Sequence, residues 1–424
     1  MSHGRLTDRT ALAGPFFRMV AIATIGFYVC TAHLTKGHEA DFGKQWLAAR
    51  LVATGNGGRL FHLPSQRQEL ERHFAPETIV RGIWRDGIGG PTYPPTFAIV
   101  AAPLGWLSPR VAQWTVIQLS LLAMVLTAGL ISGMTRGKVP WEHAIVGTIC
   151  LPSFFFAIGL GQNTAWSLLI LVGGLRLLAS GRDVYAGLVW GIFAAKPTWG
   201  VAVVWLPLAL GRPRVFWGMA LSAAALFLAT LPICGIQSWI DWLSVAQRTE
   251  QFYQSIPRWT GLSRDLPGLL RRASPGPLTE LLGWCLVLAV VILSIRAWRE
   301  GGGRSSLVPL QGPSAVALLA GVVLSCPRFM FYDVTLAAPA FLVAFSEWSR
   351  MERTAKWSLA GLFSLFALGS GYAYWNWSML GPPVETVAVL GLWLWALARV
   401  GTAATDRAEA HERTIGTAAI PNRG

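Results

Sequence analysis

Apolar runs long enough to cross a lipid bilayer recur along this chain, separated by short polar segments rich in arginine and lysine. The clear runs are 15–34, 111–134, 144–160, 164–180, 215–235, 278–297, 307–325, 331–346, 358–376 and 383–400. A crossing helix needs about 20 residues, or about 17 at the short end, which makes 331–346 marginal. Two stretches stay ambiguous. Residues 96–108 are apolar but short, and residues 184–210 are apolar except for Lys196-Pro197 in the middle. Proline removes a backbone donor and kinks a helix, so 184–210 is either one broken helix or a hairpin of two short ones. Two paths follow. In one, 96–108 does not cross and 184–210 is a hairpin; in the other, 96–108 crosses and 184–210 is a single span. Either path gives about twelve crossings with both termini on the cytoplasmic side. Loop charge favours the first, which keeps Arg136, Lys138, Arg176 and Arg182 in the cytoplasm. Segment length favours the second. The predicted fold class is all-α, a polytopic transmembrane bundle of about twelve helices with two larger non-cytoplasmic loops, 35–94 and 236–277.

Composition agrees with that pattern. Of 424 residues, 53% are hydrophobic and 13% charged, against about 25% charged in a soluble domain. The mean hydropathy is +0.47. Lipid must therefore cover much of the surface. The net charge of +14 would suggest nucleic acid in a soluble protein. Here the cations sit between apolar runs, where they set orientation, and no nucleic-acid partner is expected. The five cysteines, Cys30, Cys150, Cys234, Cys285 and Cys326, form no CxxC pair and say nothing about redox compartment. The run Pro15 to Leu34 accompanies a short basic segment (Arg5, Arg9, Arg18). It has full bilayer length and no evident small-residue cleavage site, so it reads as an uncleaved first helix.

The chain then divides into a cytoplasmic N-terminus (1–14), a transmembrane domain (15–400) and a cytoplasmic polar tail (401–424) that reads as disordered. The first large loop ends in a Gly/Pro-rich return with Gly87, Gly89, Gly90, Pro91, Pro94 and Pro95. The second carries Trp239, Trp242, Phe252, Tyr253 and Trp259, aromatics that suit a membrane–water interface more than a sugar platform.

The segment Glu39 to Arg50 holds the candidate chemistry. Asp41 is placed to cap a helix running to about Ala53, with Gln45, Ala48 and Val52 on the same face and Trp46 able to stack on Arg50. An acid just outside the membrane on a rigid element could meet a lipid-linked substrate at the same depth. Taken alone, Asp41 is better explained as a helix cap, and Glu39 as a solvated acid. Lys196 is less easily dismissed, because a lysine inside an apolar stretch is costly. Arg328 reads equally as a cation snorkelling from a helix end. Gln162 and Asn163 suit a tight turn, and Asp333 could pair with Arg328. His33, His38 and Glu39 form the only loose cluster of metal-ligand type and read as interfacial. No metal site and no cofactor are expected, and no nucleotide-binding loop is present.

Asp41-Phe42 followed by Trp46, Ala48-Ala49-Arg50, Gly55, Leu60-Phe61, Tyr93-Pro94-Pro95 and Pro103-Leu104 resembles the N-terminal signature of glycosyltransferase family 87. The resemblance continues through Gly161-Gln162-Asn163, Lys196-Pro197 and Tyr332-Asp333 before an apolar run with Pro339, and covers most of residues 1–346. These families are polyprenyl-phosphate-sugar-dependent enzymes of the GT-C fold. The resemblance implies an inverting transferase that moves a hexose, mannose by default, or a pentose from a polyprenyl-phosphate donor to a glycolipid or glycan. It implies Asp41 as general base, with Lys196, Arg328 and Arg50 on the donor phosphate. Gln45, Tyr93, Gln162, Asn163, Tyr332 and Asp333 are the implied substrate contacts. The active site would face the outer side of the inner membrane, within the lipid bilayer's reach. The sequence departs from its relatives at Cys326 to Tyr332, where no histidine stands, and at Phe61, where tyrosine is commoner. Two other readings remain: a transporter or flippase, which should show paired broken repeats where only Lys196-Pro197 is visible, and a non-catalytic scaffold for envelope assembly.

Overall fold

Helix α1 (Thr7–Thr31) ends in a 3₁₀ turn, Ala32–Leu34, and the chain then builds a layer across one end of the molecule. The computed structural model describes residues 7–84, 89–255, 261–301, 307, 310–375 and 383–418. In the layer, a 3₁₀ turn Gly37–Glu39 leads into α2 (Asp41–Ala53), followed by α3 (Leu63–Glu71), α4 (Pro76–Thr78) and a π turn, Ile79–Ile83. Phe42, Trp46, Leu47, Leu51, Leu60, Leu70, Ile79 and Ile83 close over one another as a small core of its own. Each such side chain removed from water is worth roughly 1.5–3 kcal/mol, so the hydrophobic effect holds this platform together. Trp46 donates Nε1–H to Leu107 O at 3.0 Å and meets His73 and Phe74 edge-on. It packs on these rings where stacking on Arg50 was expected.

The bundle follows: α5 (Pro95–Ala101) with a 3₁₀ extension Ala102–Trp106, α6 (Pro109–Met134), α7 (Trp141–Ile149), α8 (Pro152–Gly159) and α9 (Thr164–Ala179). Next come α10 (Asp183–Gly191) with its 3₁₀ extension Ile192–Ala195, α11 (Pro197–Val203), α12 (Leu206–Ala209), α13 (Arg214–Cys234) and α14 (Gln237–Ser255). The chain closes with α15 (Leu266–Ala273), α16 (Pro277–Glu300), α17 (Gly312–Leu324), a 3₁₀ turn Asp333–Ala337 into α18 (Ala338–Phe345), α19 (Arg353–Trp375) and α20 (Val384–Ala418).

Among the described residues, five helices are long and apolar enough to cross a membrane: Gly14–Thr31, Pro109–Met134, Arg214–Cys234, Pro277–Glu300 and Val384–Thr402. The pair α7–α8 makes a sixth if taken as one span; it bends by 65° just before Pro152, where a single run over 144–160 was expected. Several other apolar runs form shorter helices of 10–17 residues, among them Gly312–Leu324 and Asp333–Phe345. Large apolar side chains remain exposed around the bundle, including Ile22, Trp217, Leu221, Leu288 and Leu368. A surface of that kind is suited to lipid. Helix α20 continues to Ala418, through most of the segment read as a disordered tail.

Both ambiguous stretches acquire a path. Asp183 and Arg212 pair at 3.3 Å, so residues 183–212 leave and return to the same end of the bundle as a hairpin with Lys196 at its tip. The hairpin lies against α13 at close range. Gly187 and Gly191 face Gly218 and Ser222, and a Cβ on either hairpin glycine would overlap Val215 O or the Ser222 side chain. Small residues four apart on both partners let the backbones approach, as is common between membrane helices. Residues 95–106 stay at the platform end. Thr96 Oγ1 donates to Ala194 O at 2.9 Å near the hairpin tip, and Gly105 O accepts from Arg50 at 3.1 Å. This is the path that loop charge favoured.

Helix α14 is amphipathic, with Ile236, Ile240 and Leu243 exposed near its start. Trp239 Nε1 donates to Thr230 Oγ1 at 2.8 Å and Trp242 Nε1 to Thr92 O at 3.1 Å. Trp239 thus ties the helix to α13 and Trp242 ties it to the loop before α5, so neither indole N–H faces an open sugar-stacking surface. Trp259 and Gly87 lie outside the described residues.

Candidate active site

Gly161 sets the geometry. It has φ +66°, a left-handed conformation that side chains disfavour, and a Cβ there would stand 2.7 Å from Phe42 of α2. Only glycine lets the turn before α9 seat directly on α2. The two residues that follow then point in different directions. Gln162 donates Nε2–H to Asp41 Oδ2 at 3.2 Å, and Asn163 Oδ1 accepts from Lys196 Nζ at 2.7 Å. Asn163 stands at the N-cap of α9 yet makes no side-chain cap; its carbonyl serves the lysine instead.

Lys196 is 9% exposed and Asp333 3%. Lys196 Nζ lies 2.9 Å from Asp333 Oδ1, which also accepts from Thr164 Oγ1 at 3.1 Å. An ammonium has three donors, and two are accounted for by Asn163 and Asp333. Tyr93 comes up beside this group and stacks on Phe97 at 4.5 Å. Enclosure pushes the Tyr93 phenol above its ordinary value; Lys196 opposes the shift and Asp333 and Asp41 add to it. The phenol therefore stays protonated, within the fields of all three charges.

Asp41 is the first residue of α2 and directs its carboxylate to Gln162, where a helix cap was expected. An acid in the first turn is favoured by the helix dipole. Gln45 lies one turn on and is buried. Gln162 Oε1 is buried with no hydrogen-bond partner among the described residues. A buried acceptor left unpaired costs about 1–3 kcal/mol.

The structure brings Asp41, Gln162, Asn163, Tyr93, Lys196 and Asp333 together. It does not bring Arg50 to them. Arg50 pairs with Glu69 at 3.0 Å and donates to Gly105 O, so it braces the platform rather than reaching the cluster. Arg328 is held by Glu250 of α14 through two contacts, at 2.6 Å and 3.0 Å. Asp333 pairs with Lys196, where Arg328 was the partner expected from the sequence. Tyr332 packs near Phe331 and Phe156 in a separate aromatic group. Thr164 was not foreseen; its only signal was its place directly after the Gly161-Gln162-Asn163 turn. Glu39 is two-fifths exposed and leans on Lys36 and His38. Among the described residues, no group of three or more His, Cys, Asp and Glu is placed to hold a metal ion.

An apolar helical bundle with a buried acid and cation at one end has the build of an integral membrane protein with a polar site. The family model of glycosyltransferase family 87 matches residues 92–327, more than half of the chain, and the chain belongs to that family. It is a membrane glycosyltransferase, which passes a sugar from a donor to an acceptor. The match includes Tyr93, Gln162, Asn163 and Lys196, while Asp41 and Asp333 flank it. Neither curated proteins nor solved structures gave a match.

Proposed function

We propose that the protein is an inverting GT-C-type transferase that takes a mannose-like hexose or a pentose from a polyprenyl-phosphate donor. In this reading the chain has about twelve crossings, and its platform faces the outer side of the inner membrane. The acceptor is a glycolipid or glycan of the cell envelope. One observation carries the proposal: two adjacent residues join the acid to the cation, Gln162 to Asp41 and Asn163 to Lys196.

The chemistry follows from those positions. Asp41 takes the proton of an acceptor hydroxyl as its oxygen forms a bond to the anomeric carbon. The bond from that carbon to the phosphate oxygen breaks on the opposite face, and its electron pair leaves with the phosphate. The leaving group needs charge stabilisation rather than a proton, and the remaining Lys196 donor supplies it. Asp333 and Asn163 hold the ammonium in place. Gln162 Oε1 accepts from a sugar hydroxyl, and Tyr93 and Gln45 border the same space. Arg328 reaches the phosphate only by releasing Glu250.

The test is sugar transfer by the reconstituted protein, with a panel of polyprenyl-phosphate sugars and a membrane-lipid acceptor extract. Transfer by wild type with a loss of at least about a hundredfold in Asp41→Asn is expected. Full activity in a folded Asp41→Asn protein would remove Asp41 as the base.

A further inference from the structure

The segment 261–265 meets the segment that carries Asp333. Ser263 and Met330 face each other as an isolated antiparallel bridge. Arg264 N–H donates to Phe329 O at 2.8 Å and Phe331 N–H to Leu262 O at 3.2 Å. Asp333 N–H then donates to Met330 O at 2.8 Å. A short chain of backbone bonds thus runs from Arg264 to the residue that pairs with Lys196.

Arg264 is also tied to the start of α20. Its carbonyl accepts from Thr386 Oγ1 at 2.7 Å, and its Nε lies 3.1 Å from Glu385 Oε2. The two side chains are 3% and 0% exposed. Among the described residues, neither Arg264 Nε nor either Glu385 oxygen makes a hydrogen bond. Arg264 Nη1 is anchored within its own segment, donating to Gly261 O at 2.7 Å and Ser263 O at 3.2 Å, while charge and enclosure hold its contact with Glu385. Arg272 adds a second positive charge nearby; burial and Arg264 pull its guanidinium down to about 10. A buried pair whose facing atoms make no directed bond is a poor source of stability, because desolvation offsets the attraction. Stability is therefore a weak reason for two charges here.

We propose that the Arg264–Glu385 pair is a positioning element, which fixes α20 against segment 261–265 and thereby sets the register of Cys326–Asp333 at the Lys196 site. The proposal rests on the reading of that site above. Glu385 lies beyond the residues 92–327 shared with the family model, so this register is set partly from outside them.

Two measurements on the full chain test it, one independent of any sugar. Facing residues of an antiparallel bridge are close enough for a disulfide. Ser263→Cys/Met330→Cys should cross-link on mild oxidation, and adding Glu385→Gln should lower the yield roughly fivefold or more, as the paired sulfurs drift out of range. An unchanged yield overturns the proposal, whatever the transfer assay shows. In that assay Glu385→Gln should lose roughly tenfold to a hundredfold in kcat, and the cross-link should restore it. Arg264→Met/Glu385→Leu guards against a folding defect, since an apolar replacement of both charges is expected to fold. It should melt at or above the wild-type temperature yet stay slow. A stable double variant with wild-type kcat makes the pair structural only. Failure of the transferase reading would show instead as no transfer by wild type with an intact cross-linking response.

Discussion

Two buried ion pairs stand close to the same segment, and they are built differently. In Lys196–Asp333 the contact atoms have further partners: Asn163 receives from the lysine, and Thr164 gives to the same aspartate oxygen. In Arg264–Glu385 the facing atoms have none among the described residues. A buried network that is satisfied gains from the low local dielectric, whereas one left unpaired is penalised by it. The first arrangement fixes a charge in one place, as the proposed chemistry requires. The second fixes two backbone segments relative to each other.

Breaking the better-bonded pair should do the most damage. Lys196→Met removes the cation and leaves Asp333 buried and uncompensated. Activity should fall by at least about a thousandfold, and stability by about 3–5 kcal/mol. Adding Asp333→Leu should return most of the stability and none of the activity. A double variant that transfers sugar would refute the role given to Lys196. Both effects are read from transfer kinetics and thermal melts of the purified protein.

Gly161→Ala should come next. It leaves every charge in place but forces a side chain into Phe42 at a positive φ, so the Gln162–Asn163 turn must move. A misplacement of about 1 Å costs up to roughly a hundredfold in kcat. Acceptor and donor KM should change less. Wild-type kcat in this variant would mean that the turn does not join the acid to the cation.

The smallest effect concerns a third pair, Arg50–Glu69, nearer to water. Burial tends to raise the Glu69 carboxyl, but the Arg50 hydrogen bond and the charges of Arg72 and Arg50 hold it below its ordinary 4.5. A depressed carboxyl binds its proton less readily folded than unfolded. Its stabilisation is present above pH 4.5 and disappears as the pH falls through the lower folded value. In Glu69→Gln stability should fall less steeply over that acid range, and at neutral pH it should be lower than wild type by about 1 kcal/mol, read from pH-dependent melts. Identical pH profiles for the two proteins would discount the pair.

What the sequence made legible depended on whether the determining contacts were local. The long spans could be read because their apolar length is a local property, and α2 because Asp41 to Ala53 has uninterrupted helical character. The bend between α7 and α8 was hidden, since the run 144–160 stays apolar through Cys150-Leu151-Pro152. Lys196 stood out as a charge in an apolar stretch, and the structure places it at a hairpin tip beside Asp333. Arg50 and Arg328 were misleading for one reason. Their carboxylate partners are Glu69 and Glu250, at 19 and 78 residues' separation, and no spacing rule connects them. The same distance in sequence concealed Glu385.

The hairpin carrying Lys196 also bears on how the chain is made. In the proposed orientation the ribosome delivers Lys196 to the far side of the bilayer 137 residues before it delivers Asp333. Meanwhile the lysine has no acid to sit beside, and its arms, Asp183–Ala195 and Pro197–Ala209, are both shorter than a bilayer is thick. The next helix to emerge is α13, whose Gly218 and Ser222 receive Gly187 and Gly191. That crossing can clasp the nascent hairpin as soon as α13 is threaded, long before the site it serves exists.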